Sequence, residues 1–186
     1  VTLGTPVTND NCSVASVTND APSTFPLGDT TVTWTVTDGS GNTATCTQTV
    51  TVTDDQDPVI TECPAPISIT ADADICATDA TNVTLGTPVF TDNCSAGATI
   101  TNDAPASFPI GDTTVTWTIT DGSGNTVTCT QIVTVTDDQD PVITECPADV
   151  AVTADNGVCS TDASNVTLGA PVFNDNCSGA IASNDA

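Results

Sequence analysis

The residues with the most chemistry to offer are aspartates, and their spacing is fixed. Asp54, Asp55 and Asp57 precede Pro58 in the string TDDQDPVITECP, and Asp137, Asp138 and Asp140 precede Pro141 in an identical copy. Other oxygen-bearing side chains recur with them: Asp92 and Asn93 in TDNC, Asp175 and Asn176 in NDNC, and Asp121 with Asn125 in TDGSGN. Carboxylates and amide carbonyls are hard donors of the kind calcium gathers, six to eight at a time, whereas magnesium demands a stricter octahedron. Transition metals want imidazole or thiolate sets that are not on offer here. Taken singly, DGSGN also reads as an ordinary turn, since Asp, Asn and Gly populate turns without binding anything. Adjacent like charges such as Asp54 and Asp55 still need a counter-charge, and the chain has none to give. It carries 24 Asp and Glu, no Lys, Arg or His, and a formal charge of −24 over 186 residues. Self-repulsion of that size disfavours compaction unless cations come from outside. Calcium is therefore the expected cofactor. Asp72, Asp74 and Asp79 form a second acidic group, read as a solvated turn.

The same charge excludes partners. Nucleic acid is bound through Lys and Arg on phosphate, and anionic membrane surfaces attract basic segments, so neither is expected. No apolar run approaches the eighteen or so residues of a membrane span, so no insertion is expected in this segment. Without an initiating Met or a signal-peptide pattern, the sequence reads as a mature secreted segment or a window on one. Nine cysteines point to disulfides in an oxidising, extracellular compartment, and a zinc site would want His or CxxC pairs that are missing. Paired carboxylates do glycosidase chemistry only across a cleft with distinct environments, and nothing here supplies one or a nucleophile motif. No catalytic residue and no enzymatic activity are expected.

The elements that must position these aspartates come from a repeat. The offset between the two joint strings, 136 − 53 = 83, also carries Trp34 to Trp117, Cys46 to Cys129 and Cys76 to Cys159. If a module starts at the joint proline, 58–140 is complete, 1–57 lacks its start and 141–186 lacks its end. With 38% hydrophobic and 3% aromatic residues, each module has a small aliphatic core that needs staples. Short Thr/Val runs of period two predict strands at 67–70, along Val83, Leu85, Val89 and Phe90, and at 98–101. The clearest signal is a hairpin centred on Ser123, pairing Trp117 with Cys129 and Val115 with Gln131, each pair summing to 246. It puts Val115, Trp117, Ile119, Val127, Cys129, Val133 and Val135 on one face. Nothing reads as helix. The expectation is an all-β fold of tandem immunoglobulin-like β-sandwich modules of about 83 residues.

The joint string, its CPA ending, TDNC and FPIGDTTVTWTITDGSGNTVTC together resemble the hyalin repeat (HYR) family of extracellular immunoglobulin-like modules, over essentially the whole chain. The resemblance implies a role in adhesion or in large extracellular structures, often as tandem arrays on bacterial surface proteins. It implies no activity.

In a sandwich of this strand order the B–C and F–G loops share one end. That predicts Cys94 with Cys129 and Cys12 with Cys46, leaving Cys63 with Cys76, Cys146 with Cys159, and Cys177 alone. Such closures would contribute roughly 3–4 kcal/mol each. The joint enters at that same end, so its aspartates should meet the two loops. Asn82 and Asn165 open glycosylation sequons, as do Asn11, Asn93 and Asn176 beside cysteines. The expected function is a structural, secreted, cell-surface repeat protein forming a calcium-stiffened stalk or filament with copies of itself, helped by sparsely charged edges such as 49–53. The alternative is a calcium-dependent adhesin whose loops capture surface glycans.

Overall fold

The computed structural model describes residues 1–177 and 179–183. Threonine and valine alternate through most of the chain, and the backbone answers with strands. The first module supplies β1 (Val14–Asn19), β2 (Gly28–Asp38) and β3 (Thr43–Val52), one antiparallel sheet in chain order. The second supplies β4 (Val59–Glu62), β5 (Ile67–Thr70), β6 (Ala77–Asp79), β7 (Val89–Thr91), β8 (Thr99–Asn102), β9 (Ser107–Pro109), β10 (Gly111–Thr120) and β11 (Thr126–Thr136). The third supplies β12 (Val142–Glu145) and β13 (Val172–Asn174).

The complete module is an immunoglobulin-like β-sandwich. Its main sheet runs β5-β11-β10-β8, with β5 parallel to β11, and the short pairs β4–β7 and β6–β9 complete the module. The hairpin register is the expected one: Trp117 faces Cys129 and Val115 faces Gln131. Val115, Ile119 and Val133 are fully buried, and Phe108 of β9 packs against Val115, Val133 and Val135 with Ile67 and Ile69 alongside. Gln131 shares that inward face. Its amide oxygen accepts the Trp117 indole N–H at 3.3 Å and its nitrogen donates to the Ala65 carbonyl at 2.8 Å, so a polar side chain only 2% exposed has its partners. Trp34 and Gln48 repeat the indole contact at 3.1 Å.

Two expectations about elements need correction. After β6 the chain turns through a short 3₁₀ segment, Ala80–Asn82, so no strand covers Val83 and Leu85, although Val83 is buried. The joint string, read as a linker, instead contributes β4, which pairs antiparallel with β7 across a bulge. That strand changes the disulfide pattern. With β4 against β11, Cys63 meets Cys129, and the expected Cys94–Cys129 and Cys63–Cys76 bonds do not form. Cys177, expected to stand alone, is bonded to Cys76, so this bridge joins the second module to the third. Cys12, Cys46, Cys94, Cys146 and Cys159 are free, so the expected Cys12–Cys46 and Cys146–Cys159 bonds are absent too.

Candidate metal centre at the module joint

β3 ends at Val52 and β4 begins at Val59, so 53–58 crosses from one module to the next, with Pro58 fully buried. Asp54 is half-buried while Asp55 and Asp57 stand exposed, and only Asp54 of the three belongs to the cluster formed at the entrance of the second module. The loop after β7 brings Asp92, and the β10–β11 turn brings Asp121. These loops touch closely: a Cβ at Gly122 would collide with the Ala96 carbonyl, so the turn needs glycine there. One carboxylate oxygen from each of Asp54, Asp92 and Asp121 lies within 4.8 Å of the other two. Oxygens about 2.3–2.6 Å from a calcium ion are at most about 5 Å apart across it, so the three can share one ion.

Hydrogen bonds show which oxygens are free to do so. Asp121 Oδ1 accepts from the backbone N–H groups of Ser123, Gly124 and Asn125, and its Oδ2 accepts from the Asn125 amide at 2.7 Å. Partial burial works to raise the Asp121 carboxyl, yet the bonds from Asn125, Ser123 and Gly124 hold it below the usual carboxylate range. Asp54 Oδ1 accepts from Gln56 N–H and from the Asn93 amide at 3.1 Å, and its carbonyl accepts from the Asn125 amide at 3.3 Å. Asp92 Oδ2 accepts from Cys94 N–H at 2.8 Å. Asp54 Oδ2 and Asp92 Oδ1 are buried and have no hydrogen-bond partner among the described residues. Asn93 and Asn125 therefore hold Asp54 through their amide nitrogens. Burial and the Asp54 carboxylate push the neighbouring Cys94 thiol up.

An orphaned buried carboxylate oxygen is costly, and the usual remedy, a Lys or Arg partner, is absent from this chain. The donor set left over is all oxygen, which fits calcium and fits no soft metal.

The second joint repeats the arrangement 83 residues on. The Asn176 amide donates to Asp137 Oδ1 at 3.3 Å, as Asn93 does to Asp54, and Asp175 Oδ1 and Asn176 Oδ1 are buried without partners among the described residues. Asp138 and Asp140 are exposed, like Asp55 and Asp57, but Asp137 is exposed as well, unlike half-buried Asp54. In the first module Asp10 and Asp38 are the equivalents of Asp92 and Asp121 and line one cleft with Asn9 and Asn42; the repeat offsets, 82 residues for Asp10 (92 − 10) and 83 for Asp38 (121 − 38), could have found them. The sequon asparagines have other work. The Asn82 amide nitrogen bonds both oxygens of Asp72 at 3.0 and 3.1 Å, and Asn165 does the same to Asp155 at 3.2 Å.

A family model described as the HYR domain matches residues 1–52 and 53–135. The chain belongs to the HYR domain family. Asp54, Asp92 and Asp121 all fall inside the second matched HYR unit, whose start lies five residues (58 − 53) ahead of Pro58. Over 151 residues the HYR chain is 37% identical to the sushi, von Willebrand factor type A, EGF and pentraxin domain-containing protein 1 of Mus musculus, covering 78% of the chain and 4% of that protein. It is 33% identical over 163 residues to hyalin of Lytechinus variegatus, covering 83% of the chain and 30% of hyalin. The chain thus spans only a small part of the relatives it matches. Among solved structures it is similar to the protocadherin gamma B7 extracellular cadherin domains 1–4, with a TM-score of 0.39 and 13% identity over 90% of this chain and 51% of that one. Family and relatives together make it an extracellular HYR repeat module.

Proposed function

We propose that this HYR chain is a structural array whose joints are stiffened by calcium, so that neighbouring modules and further copies form an extracellular stalk or filament. One observation carries the reading: Asp54 Oδ2 and Asp92 Oδ1 are buried, without a donor among the described residues and next to Asp121, in a chain without a basic side chain. Asp54 belongs to the string that crosses the joint, while Asp92 and Asp121 belong to the module it enters. An ion held by all three fastens the crossing string to that module and removes its freedom to swing. Calcium adds charge neutralisation there and takes part in no reaction. On this reading the array belongs to a cell surface, and the resemblance of its tandem motifs is what supports a bacterial one.

Small-angle X-ray scattering on the full chain tests this. Chelation should reduce the maximum dimension as the joints loosen, and calcium should restore it where equal magnesium does not. An unchanged scattering profile through both additions would overturn the stiffening.

A further inference from the structure

The bridge from Cys76 to Cys177 does something the ion cannot. β5 is parallel to β11 and both run toward the exit end of the second module, where Ala71 N–H meets the Thr136 carbonyl at 2.8 Å. The turn that follows β5 therefore arrives beside the second joint. There Asp74 N–H donates to Gln139 Oε1 at 3.3 Å, the Asn176 amide donates to the Ile75 carbonyl at 3.4 Å, and the Cys76 and Cys177 Cα atoms lie 4.9 Å apart. The joint is thus bonded on its flank to the module before it and the module after it.

We infer that tension on the array is carried through these inter-module disulfides, with most of each folded module outside the load path. Between the ends of this chain the shortest covalent route runs to Cys76, crosses the bond, and continues from Cys177, omitting a separation of 101 residues. The omitted stretch holds the β10–β11 hairpin, most of the core, Asp92, Asp121 and the whole second joint. None of it can be drawn out while the bond lasts. The inference stands whether or not an ion occupies the joint.

The repeat extends the rule to three of the free thiols. Cys94 is the equivalent of Cys177 (177 − 83 = 94), Cys12 is the equivalent of Cys94 (94 − 82 = 12) and Cys159 is the equivalent of Cys76 (76 + 83 = 159). They are the attachment points for the matching cysteines of neighbouring modules of the same kind. Each bond forms when two thiols lose two protons and two electrons to an oxidising disulfide, which leaves as two thiols. In a tandem joined this way, a module entered at its Cys94-type residue is left at its Cys76-type residue. Only 18 residues (94 − 76) of each repeat then lie under load.

The test is single-molecule stretching of the full chain, held by terminal tags, before and after reduction. At about 3.4 Å per residue, the oxidised chain should be shorter at full extension by on the order of 340 Å. Cys177→Ala should leave only the Cys63–Cys129 bond, with its separation of 66 residues, and cut the deficit to on the order of 220 Å. The taut length counts covalent bonds, so a loosely folded variant still gives a reading. An oxidised wild-type deficit no larger than that of Cys177→Ala would overturn the inference, as would recovery of a Cys63–Cys76 peptide by mass spectrometry.

Discussion

Asp72 and Asp54 sit at opposite ends of the second module, and each belongs to a run of closely spaced aspartates. Asp72 is surrounded by donors: Thr78 Oγ1 at 2.9 Å, Asp79 N–H at 2.8 Å and the Asn82 amide on both oxygens. Asp54 keeps one oxygen buried with nothing to accept among the described residues, and so does its neighbour Asp92. Acidity is common to both ends, and only the supply of donors differs. A turn that satisfies its carboxylate needs no ion. A joint that buries one unsatisfied does. The same measure covers the core, where Gln131 is only 2% exposed yet both its amide oxygen and its amide nitrogen have a partner.

The largest effect should come from breaking that core example. Gln131→Ala strands the buried Trp117 indole N–H, whereas the carbonyl of exposed Ala65 can turn to water, so a loss of about 1–3 kcal/mol is expected in denaturant unfolding, with or without calcium. A loss under about 0.5 kcal/mol, the range of an ordinary surface change, would mean that donor satisfaction is not what organises the module.

A smaller effect separates the two aspartate ends by pH. The bond from Asp79 N–H, then those from Thr78 and Asn82, hold the Asp72 carboxyl below its usual value. Its folded pKa is depressed, so the stability it contributes is complete above about pH 4, the unfolded value, and is lost as pH falls through the folded one. Asp72→Asn should therefore lower the melting temperature at pH 7 equally in calcium and in chelator, and the deficit should close as the solution is acidified. A deficit that depended on calcium would make the Asp72 turn a second ion site.

The contrast between local and distant pairing explains what could be read in advance. The β10–β11 hairpin was legible because both strands are long, alternate cleanly and meet through a five-residue turn, so one register puts every apolar residue except Ile132 on one face. β4 was not: Val59–Glu62 is four residues long, sits in the joint string, and finds its partner Val89–Thr91 up to 32 residues on (91 − 59), past β5 and β6. Missing β4 meant missing Cys63–Cys129, since nothing else puts Cys63 beside β11. The bond from Cys76 to Cys177 lay further out of reach, because a search within one module cannot find a partner in the next. Still, the pairing is locally written. β12–β13 repeats β4–β7 residue for residue, bulge included, with Ile143↔Phe173 standing for Ile60↔Phe90. Of the joint aspartates, spacing gave the group and the two loops it would meet. The path of the joint, which spacing alone does not reveal, turns Asp54 rather than Asp55 or Asp57 toward the two loops.

The most direct measurement is the thermal melt of wild type, Asp92→Asn and Asp55→Asn, each in saturating calcium and in chelator. Calcium at a hundredfold over its Kd adds about 2.7 kcal/mol, which raises a wild-type melt of this size by roughly 5–10 °C. Asp92→Asn should lose that rise and yet melt above wild type in chelator, because one of three crowded, uncompensated charges is gone. Asp55→Asn should behave as wild type in both. If calcium shifts Asp92→Asn as much as wild type, or if wild type in chelator is the more stable of the two, the joint is not an ion site and the account of its orphaned carboxylates is wrong.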